Sequence, residues 1–117
     1  MGIESEQIDW EQLDMMADGY TPDFVEIYEE FLAQTPELFD ALEQHLLEGN
    51  VPAAREAAHK VKGSAANFGF LGVSRPVADV EHGAKDHATL EGAAERLLEA
   101  RKNFESARAE VRASRGI

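Results

Sequence analysis

The chain has 117 residues, and its 11 Lys and Arg against 23 Asp and Glu give a formal net charge of −12. This length suits one domain with a single core, at residues 1–117, and is short for an enzyme with its own nucleotide site. The negative charge argues against a nucleic-acid partner. The lack of cysteine excludes disulfides and thiolate metal sites.

Membrane association is not indicated by the sequence. No apolar run approaches the roughly 18 residues that a membrane-spanning helix needs. No secretory signal pattern opens the chain. We therefore expect a cytoplasmic protein with no membrane partner.

The first predicted element is a short amphipathic helix over roughly residues 6–17, preceded by a flexible end at about 1–5. Apolar residues at helical spacing indicate it: Ile8, Trp10, Leu13 and Met16. The turn residues Asp18-Gly19-Tyr20 end it.

A second helical pattern begins at Thr21 and extends to Leu47. Thr21 followed by Pro22 is typical of an N-cap and a first helical position. Pro36 lies between two apolar runs, where it either kinks one long helix or divides it in two. Gly49 and Asn50 then end this segment and cap a third helix, which runs to about Phe68 or Gly69.

The fourth helix is predicted over roughly residues 71–86, although Pro76 lies inside it. Ser74 is a candidate cap for a helix that restarts at Arg75-Pro76, so two starts are open. His87-Ala88-Thr89 forms the next turn, with Thr89 as a candidate cap.

The last helix is predicted over about residues 89–113, followed by a flexible end at 114–117. It carries the clearest apolar stripe in the sequence: Leu90, Ala93, Leu97, Ala100, Phe104, Ala107 and Val111. Few β-branched residues and short connections predict an all-α fold. We expect an antiparallel up-down four-helix bundle with an additional short N-terminal helix packed across one end.

The third helix has an unusual outward face. Arg55, His59, Lys62, Gly63 and Ala66 lie on it, at offsets of −4, 0, +3, +4 and +7 from the histidine. An interior helical glycine costs about 1 kcal/mol relative to alanine. Close approach by another molecule would explain two such small residues beside an exposed imidazole.

The positive charges begin at the same place. Every Lys and Arg lies at or after Arg55, and 14 of the 23 acids lie before it. The first cations, Arg55, Lys60 and Lys62, therefore bracket His59. They suit a local negative group, although a chance run of charge on a solvated face is an equal alternative.

The stretch around His59 strongly resembles the core motif of the histidine phosphotransfer (HPt) family of bacterial two-component phosphorelays. That motif is His-x-x-Lys-Gly-Ser, followed by small residues and a further glycine. It is matched here by His59, Lys62, Gly63, Ser64, Ala65, Ala66 and Gly69. The resemblance covers most of the chain, and it implies one long second helix that Pro36 kinks.

The resemblance also implies a chemistry. Nε2 of His59 is then the phospho-acceptor, Lys62 balances the phosphoryl charge, and Gly63 admits a receiver domain. The family's partner for Nδ1 lies 22 residues after the histidine, which is Glu81 here; an ordinary exposed glutamate is the alternative. Ser64 faces the core and is expected to be structural.

The implied partners are response-regulator receiver domains and a hybrid histidine kinase. The receiver-binding surface is predicted to comprise Arg55, Lys60, Lys62, Gly63, Ala66 and Asn67, completed by exposed apolar residues of the first two helices. The protein is expected to be a monomeric phosphocarrier without its own ATP site. No cofactor or metal is expected, because Mg²⁺ belongs to the receiver domain and the remaining histidines lack metal-site spacing.

Two alternatives remain open. The chain is either a free-standing carrier or the phosphotransfer module of a chemotaxis-type histidine kinase. Glu81 and the run Asn67-Phe68-Gly69-Phe70 favour the module, and the start at Met1 favours the carrier. A non-phosphorylated helical adaptor is the other possibility, which the intact His59 and Lys62 disfavour.

Overall fold

Five α-helices make up most of the protein in a computed structural model that describes residues 7–117. They are α1 (Trp10–Ala17), α2 (Pro22–Leu47), α3 (Val51–Asn67), α4 (Leu71–His87) and α5 (Ala93–Arg115). The described residues form no strand, only an isolated antiparallel bridge between Ile8 and Phe70. None of these helices combines the length and apolarity needed to cross a bilayer. The predicted flexible end at 1–5 lies outside the described residues.

The helices α2 to α5 form an up-down bundle, as predicted. α3 packs between α2 and α4, and α5 closes the bundle by contacting both α4 and α2. α1 lies at the end of the bundle where α3 finishes, since Gln12 donates a hydrogen bond to the carbonyl of Asn67. The all-α prediction is confirmed.

The start of α1 was predicted about four residues too early. The helix begins at Trp10, and the side chain of Asp9 caps it by accepting from the backbone N–H of Gln12. Ile8 is buried, but in an extended segment that pairs with Phe70. The apolar spacing therefore assigned Ile8 to the helix, although Ile8 packs into the core from the segment before it.

Gly69 is what allows this segment to approach so closely. Its φ of 72° lies in the left-handed region, and its carbonyl accepts a 2.7 Å hydrogen bond from the N–H of Asp9. A Cβ at this position would lie 2.5 Å from the Asp9 carbonyl oxygen. Both conditions require glycine.

The predicted start of α2 is confirmed, because Thr21 caps the helix and Pro22 is its first residue. α2 continues through Pro36 as one helix, so the alternative of two helices is wrong. The buried hydroxyl of Thr35 donates to the Phe31 carbonyl at 2.7 Å, one turn before the proline. Asn50 caps α3, also as predicted.

α4 passes through Pro76 without a restart, so the helix predicted from residue 71 is confirmed and the alternative start capped by Ser74 is wrong. Ser74 lies buried inside α4. Pro76 has no N–H to donate to the carbonyl of Gly72, four residues earlier. That carbonyl instead accepts a 2.9 Å hydrogen bond from the amide of Asn103 on α5. A neighbouring helix thus supplies the donor that the proline lacks.

Asn103→Ala is expected to lower the free energy of unfolding by about 1–3 kcal/mol, because it leaves the buried Gly72 carbonyl without a donor. Urea unfolding measures the change. Ser106→Ala, an exposed position on the same helix, should stay within about 0.5 kcal/mol of wild type. Equal effects of the two substitutions would contradict the role of Asn103.

α5 also differs from its predicted bounds. Its N-cap is Gly92 rather than Thr89, whose hydroxyl accepts from the N–H of Glu91 within the preceding turn. The helix ends at Arg115, two residues after the predicted end, and the side chain of Ile117 packs against the core. The predicted stripe is buried except for the half-buried Leu90.

Aromatic rings fill the core at the end of the bundle where α3 finishes. Phe31 stacks on Phe68 with ring centroids 4.3 Å apart, and Phe70 meets Phe31 edge-on at 5.0 Å. Such pairs add to the free energy of burying the rings themselves. This cluster fixes the C-terminal end of α3, and so the direction of the helix that carries His59.

A clasp between Arg115 and α1 ties the end of α5 to the first helix. The guanidinium forms hydrogen bonds of 2.9 and 2.8 Å with the two carboxylate oxygens of Asp14 and lies 4.5 Å from the ring centre of Trp10. Tyr20 donates to the same carboxylate at 2.6 Å. Hydrogen bonds from Arg115 and Tyr20 hold the pKa of Asp14 below its ordinary value.

The clasp predicts a dependence of stability on pH. A carboxyl whose folded pKa is depressed stabilises the protein above its unfolded pKa, and that contribution is lost as pH falls through the folded pKa. Asp14→Asn should therefore be less stable than wild type to urea at neutral pH and equal to it in strong acid. Glu30→Gln, an exposed carboxylate on α2, should match wild type at neutral pH. A difference for Asp14→Asn that persists in strong acid would contradict this role.

Candidate functional site

His59 lies in the middle of α3 with its side chain 68% exposed. The opposite face of α3 is buried through small residues and one valine: Ala54, Ala58, Val61 and Ala65. Small residues at a helix contact allow close packing, here against α4. The imidazole is thus held on the surface, beside the groove between α3 and α4.

Glu81 on α4 holds the ring in one orientation. Its Oε2 lies 2.6 Å from Nδ1 of His59, although the two residues are 22 apart in sequence. An ionised carboxylate only accepts hydrogen bonds, so Nδ1 must carry the proton. In the neutral ring the lone pair is then on Nε2, and Nε2 has no hydrogen-bond partner within residues 7–117.

Lys62 completes a three-residue network. Its ammonium lies 2.5 Å from Oε1 of Glu81, and the carboxylate side chain is only 8% exposed. Burial raises the pKa of Glu81, but hydrogen bonds from Lys62 and His59 outweigh it and hold the pKa below its ordinary value. Glu81 is therefore ionised at neutral pH and is not an ordinary surface glutamate.

The surface beside the ring is open where the sequence has small residues. A Cβ at Gly63 would have no heavy atom within 4 Å, and both Gly63 and Ala66 are exposed. Gly63 therefore has no packing reason to lack a side chain. The free space lies one turn from His59 on the same helix.

The opposite side of the ring borders an open cleft of about 450 Å³. Arg55 and Lys85 line it from α3 and α4, together with Pro52 and Glu56. Lys85 was not identified from the sequence. It lies four residues after Glu81 and so on the same face of α4, a spacing that would have identified it.

The other predicted residues are not gathered at the cleft. Lys60, Ala66 and Asn67 are exposed on α3, but none lines the cleft beside the ring. Ala66 and Asn67 lie about two turns from His59, roughly 10–12 Å along the helix. They can contact a partner that also covers His59, but not a group bound to the ring.

No metal centre is apparent in the part of the chain that the structure describes. Residues 7–117 contain no group of three or more His, Asp or Glu side chains arranged to hold an ion. His45 lies 3.6 Å from Glu48, whereas His82 and His87 are exposed on α4.

A family profile described as the Hpt domain matches residues 26–112, most of the chain. The chain belongs to the Hpt domain family. It is therefore a histidine phosphotransfer module of phosphorelays. Members of the Hpt family act as phosphocarriers together with receiver domains and kinases. No curated protein gives a significant match to the sequence.

A solved Hpt domain has a similar fold. It is the Hpt domain of a sensor hybrid histidine kinase from Shewanella, with a TM-score of 0.72 and 19% sequence identity. The match covers 92% of this chain and 95% of that domain. At this identity the likeness concerns the fold alone.

Proposed function

We propose that His59 is the phospho-acceptor and that the domain relays a phosphoryl group between receiver-domain aspartates. The observation that supports this most is the contact between Glu81 and Nδ1 of His59. It leaves the Nε2 lone pair directed away from the protein on an exposed ring. A fixed and exposed imidazole nitrogen is what in-line attack on phosphorus requires.

In the proposed step, Nε2 attacks the phosphorus of an aspartyl phosphate on the receiver. The Nε2–P bond forms as the P–O bond to the aspartyl carboxylate breaks, and the aspartate leaves with the electron pair. The reverse step passes the group to a second receiver. In both steps the receiver would supply Mg²⁺, and we propose that this chain acts without a cofactor, metal or ATP site of its own.

We propose that three cations balance the phosphoryl charge. Lys62 supplies positive charge next to the ring while it holds Glu81. Arg55 and Lys85 flank the neighbouring cleft, and a tetrahedral anion on Nε2 would lie within the field of both. Their positive charges should favour the phosphorylated state over the free one.

The receiver-binding surface is proposed to surround the ring. It comprises Gly63 with Arg55, Lys60, Lys62, Ala66 and Asn67, together with the exposed apolar residues Met15 on α1 and Ile27 on α2. We further propose that the domain acts as a monomer in the cytoplasm.

The proposal is tested by incubating the chain with a phosphorylated receiver domain or with an autophosphorylated hybrid kinase. Acid-labile, base-stable label on the chain, and its passage to a second receiver, are the expected results. No label from any of several donors would instead favour a helical adaptor.

Glu81 is a positioning residue, and its substitution should slow phosphorylation without removing it. Glu81→Gln still accepts a hydrogen bond from Nδ1, so we expect about a tenfold slower transfer, and about a hundredfold slower transfer for Glu81→Leu, which cannot orient the ring. Transfer rates over a range of pH measure this. Equal losses in the two variants would indicate that orientation by hydrogen bonding is unimportant.

A further inference from the structure

A second groove lies on the other side of the bundle. It is about 380 Å³ in volume and runs between the end of α2 and the beginning of α5. Its apolar lining comprises Leu46 and Leu47 of α2 with Ala94, Leu97 and Leu98 of α5. In the closed order α2, α3, α4, α5, this groove and the cleft beside His59 lie on opposite faces.

Two leucines that line this groove have side chains that are mostly exposed to solvent instead of packed in the core. Leu47 is 76% exposed and Leu98 is 68% exposed. A single exposed leucine is ordinary on a protein surface. Two that border the same apolar groove, with the buried Leu97 beneath, are typical of a binding site for an apolar side chain.

The charges near the groove favour a positively charged partner. Arg101 also lines it, but this guanidinium is bound to both Asp40 and Glu43 at 3.0 Å, so its charge is more than balanced. Glu48 follows Leu47, Glu95 lies one turn before Leu98, and Lys102 lies one turn after it. Of these charged residues only Glu43 and Arg101 line the groove itself. With the residues one turn or less from the two leucines and the Asp40 bound to Arg101, four carboxylates stand near the groove against two cations.

We propose that this groove, formed by α2 and α5, binds an amphipathic helix of another protein or domain, with apolar residues on one face and Lys or Arg flanking them. Helix-in-groove recognition uses anchors spaced three or four residues apart, and the acidic surroundings attract a basic partner. A second copy of this chain is disfavoured because each copy has a net charge of −12. Since the groove lies opposite His59, the bound partner would leave the phosphotransfer site open.

A helical peptide of leucine and lysine, with leucines recurring every third or fourth residue, is the probe. Titrated into the ¹⁵N-labelled chain at physiological ionic strength, it should shift the amide resonances of Leu46, Leu47, Leu97 and Leu98. A peptide with glutamate in place of lysine should bind at least about tenfold more weakly.

The variants locate the site. Leu47→Ser combined with Leu98→Ser should raise the Kd of the leucine–lysine peptide about tenfold or more, and both positions are exposed, so the fold should be kept. Ala113→Ser, an exposed position near the end of α5, should leave the Kd unchanged.

Three results would overturn the proposal. They are shifts scattered over the acidic surface, equal binding of both peptides, and self-association of the chain alone through the same leucines. The first would show general electrostatic attraction, the second an absence of charge selection, and the third a second copy as the occupant. None depends on whether His59 is phosphorylated.

Discussion

His59→Gln is expected to abolish phosphorylation while the fold is kept. Glutamine has no nucleophilic ring nitrogen, and no other histidine has the same setting, because Nδ1 of His59 alone among the histidines of residues 7–117 contacts the buried Glu81. The glutamine amide can still donate to Glu81, and the side chain at this position is mostly exposed. We therefore expect the free energy of unfolding to change by less than about 1 kcal/mol.

Label transfer from a phosphorylated receiver, with circular dichroism and urea unfolding on the same sample, measures both parts of this prediction. His82→Gln, at an exposed position on α4, is the matched control and should be labelled like wild type. Acid-labile label on His59→Gln would show that another residue accepts the phosphoryl group. Loss of helicity would show that His59 is needed for folding.

Gly63→Gln is expected to slow phosphoryl transfer while leaving the protein at least as stable as wild type. A Cβ at this position meets open space, and replacing an interior helical glycine should raise stability by up to about 1 kcal/mol. The longer side chain would, however, project beside His59, where we propose that the receiver approaches. We expect transfer to fall by at least about a hundredfold, because small displacements of reacting groups have large effects on rate.

Gly63→Ala provides the graded control, since its gain in helix propensity is at least as large and it adds little bulk. Its transfer rate should lie between those of wild type and Gly63→Gln. If Gly63→Gln transfers at the wild-type rate while being more stable, close approach at Gly63 is not part of the mechanism.

Much of the site was predictable because its signals are local. The offsets within α3 placed His59, Lys62 and Gly63 on one outward face, where Lys62 is half-buried against Glu81. Caps such as Thr21 and Asn50 set helix starts correctly. The pairing of Glu81 with His59 was expected only by resemblance. Periodicity alone does not fix how two helices are aligned.

The errors arose where a contact from elsewhere in the chain decided the local structure. Pro76 left two starts of α4 open, but the helix runs through it because Asn103 of α5 supplies the missing donor. Ile8 was counted as helical although it pairs with Phe70. Thr89 is a residue type that often caps helices, but its hydroxyl accepts a hydrogen bond within the turn before α5. The residue pattern within one helix or turn does not predict contacts with other parts of the chain.

The most direct test of phosphotransfer through His59 is to identify the phosphorylated atom. The ¹⁵N-labelled chain would be phosphorylated by a receiver, and the phosphorus-to-nitrogen couplings of its histidine rings measured by NMR. We predict one phosphorylated ring, that of His59, with phosphorus bonded to Nε2 and Nδ1 still protonated against Glu81. Phosphorus on Nδ1, or on another histidine, would contradict the assignment of His59 as the carrier oriented by Glu81.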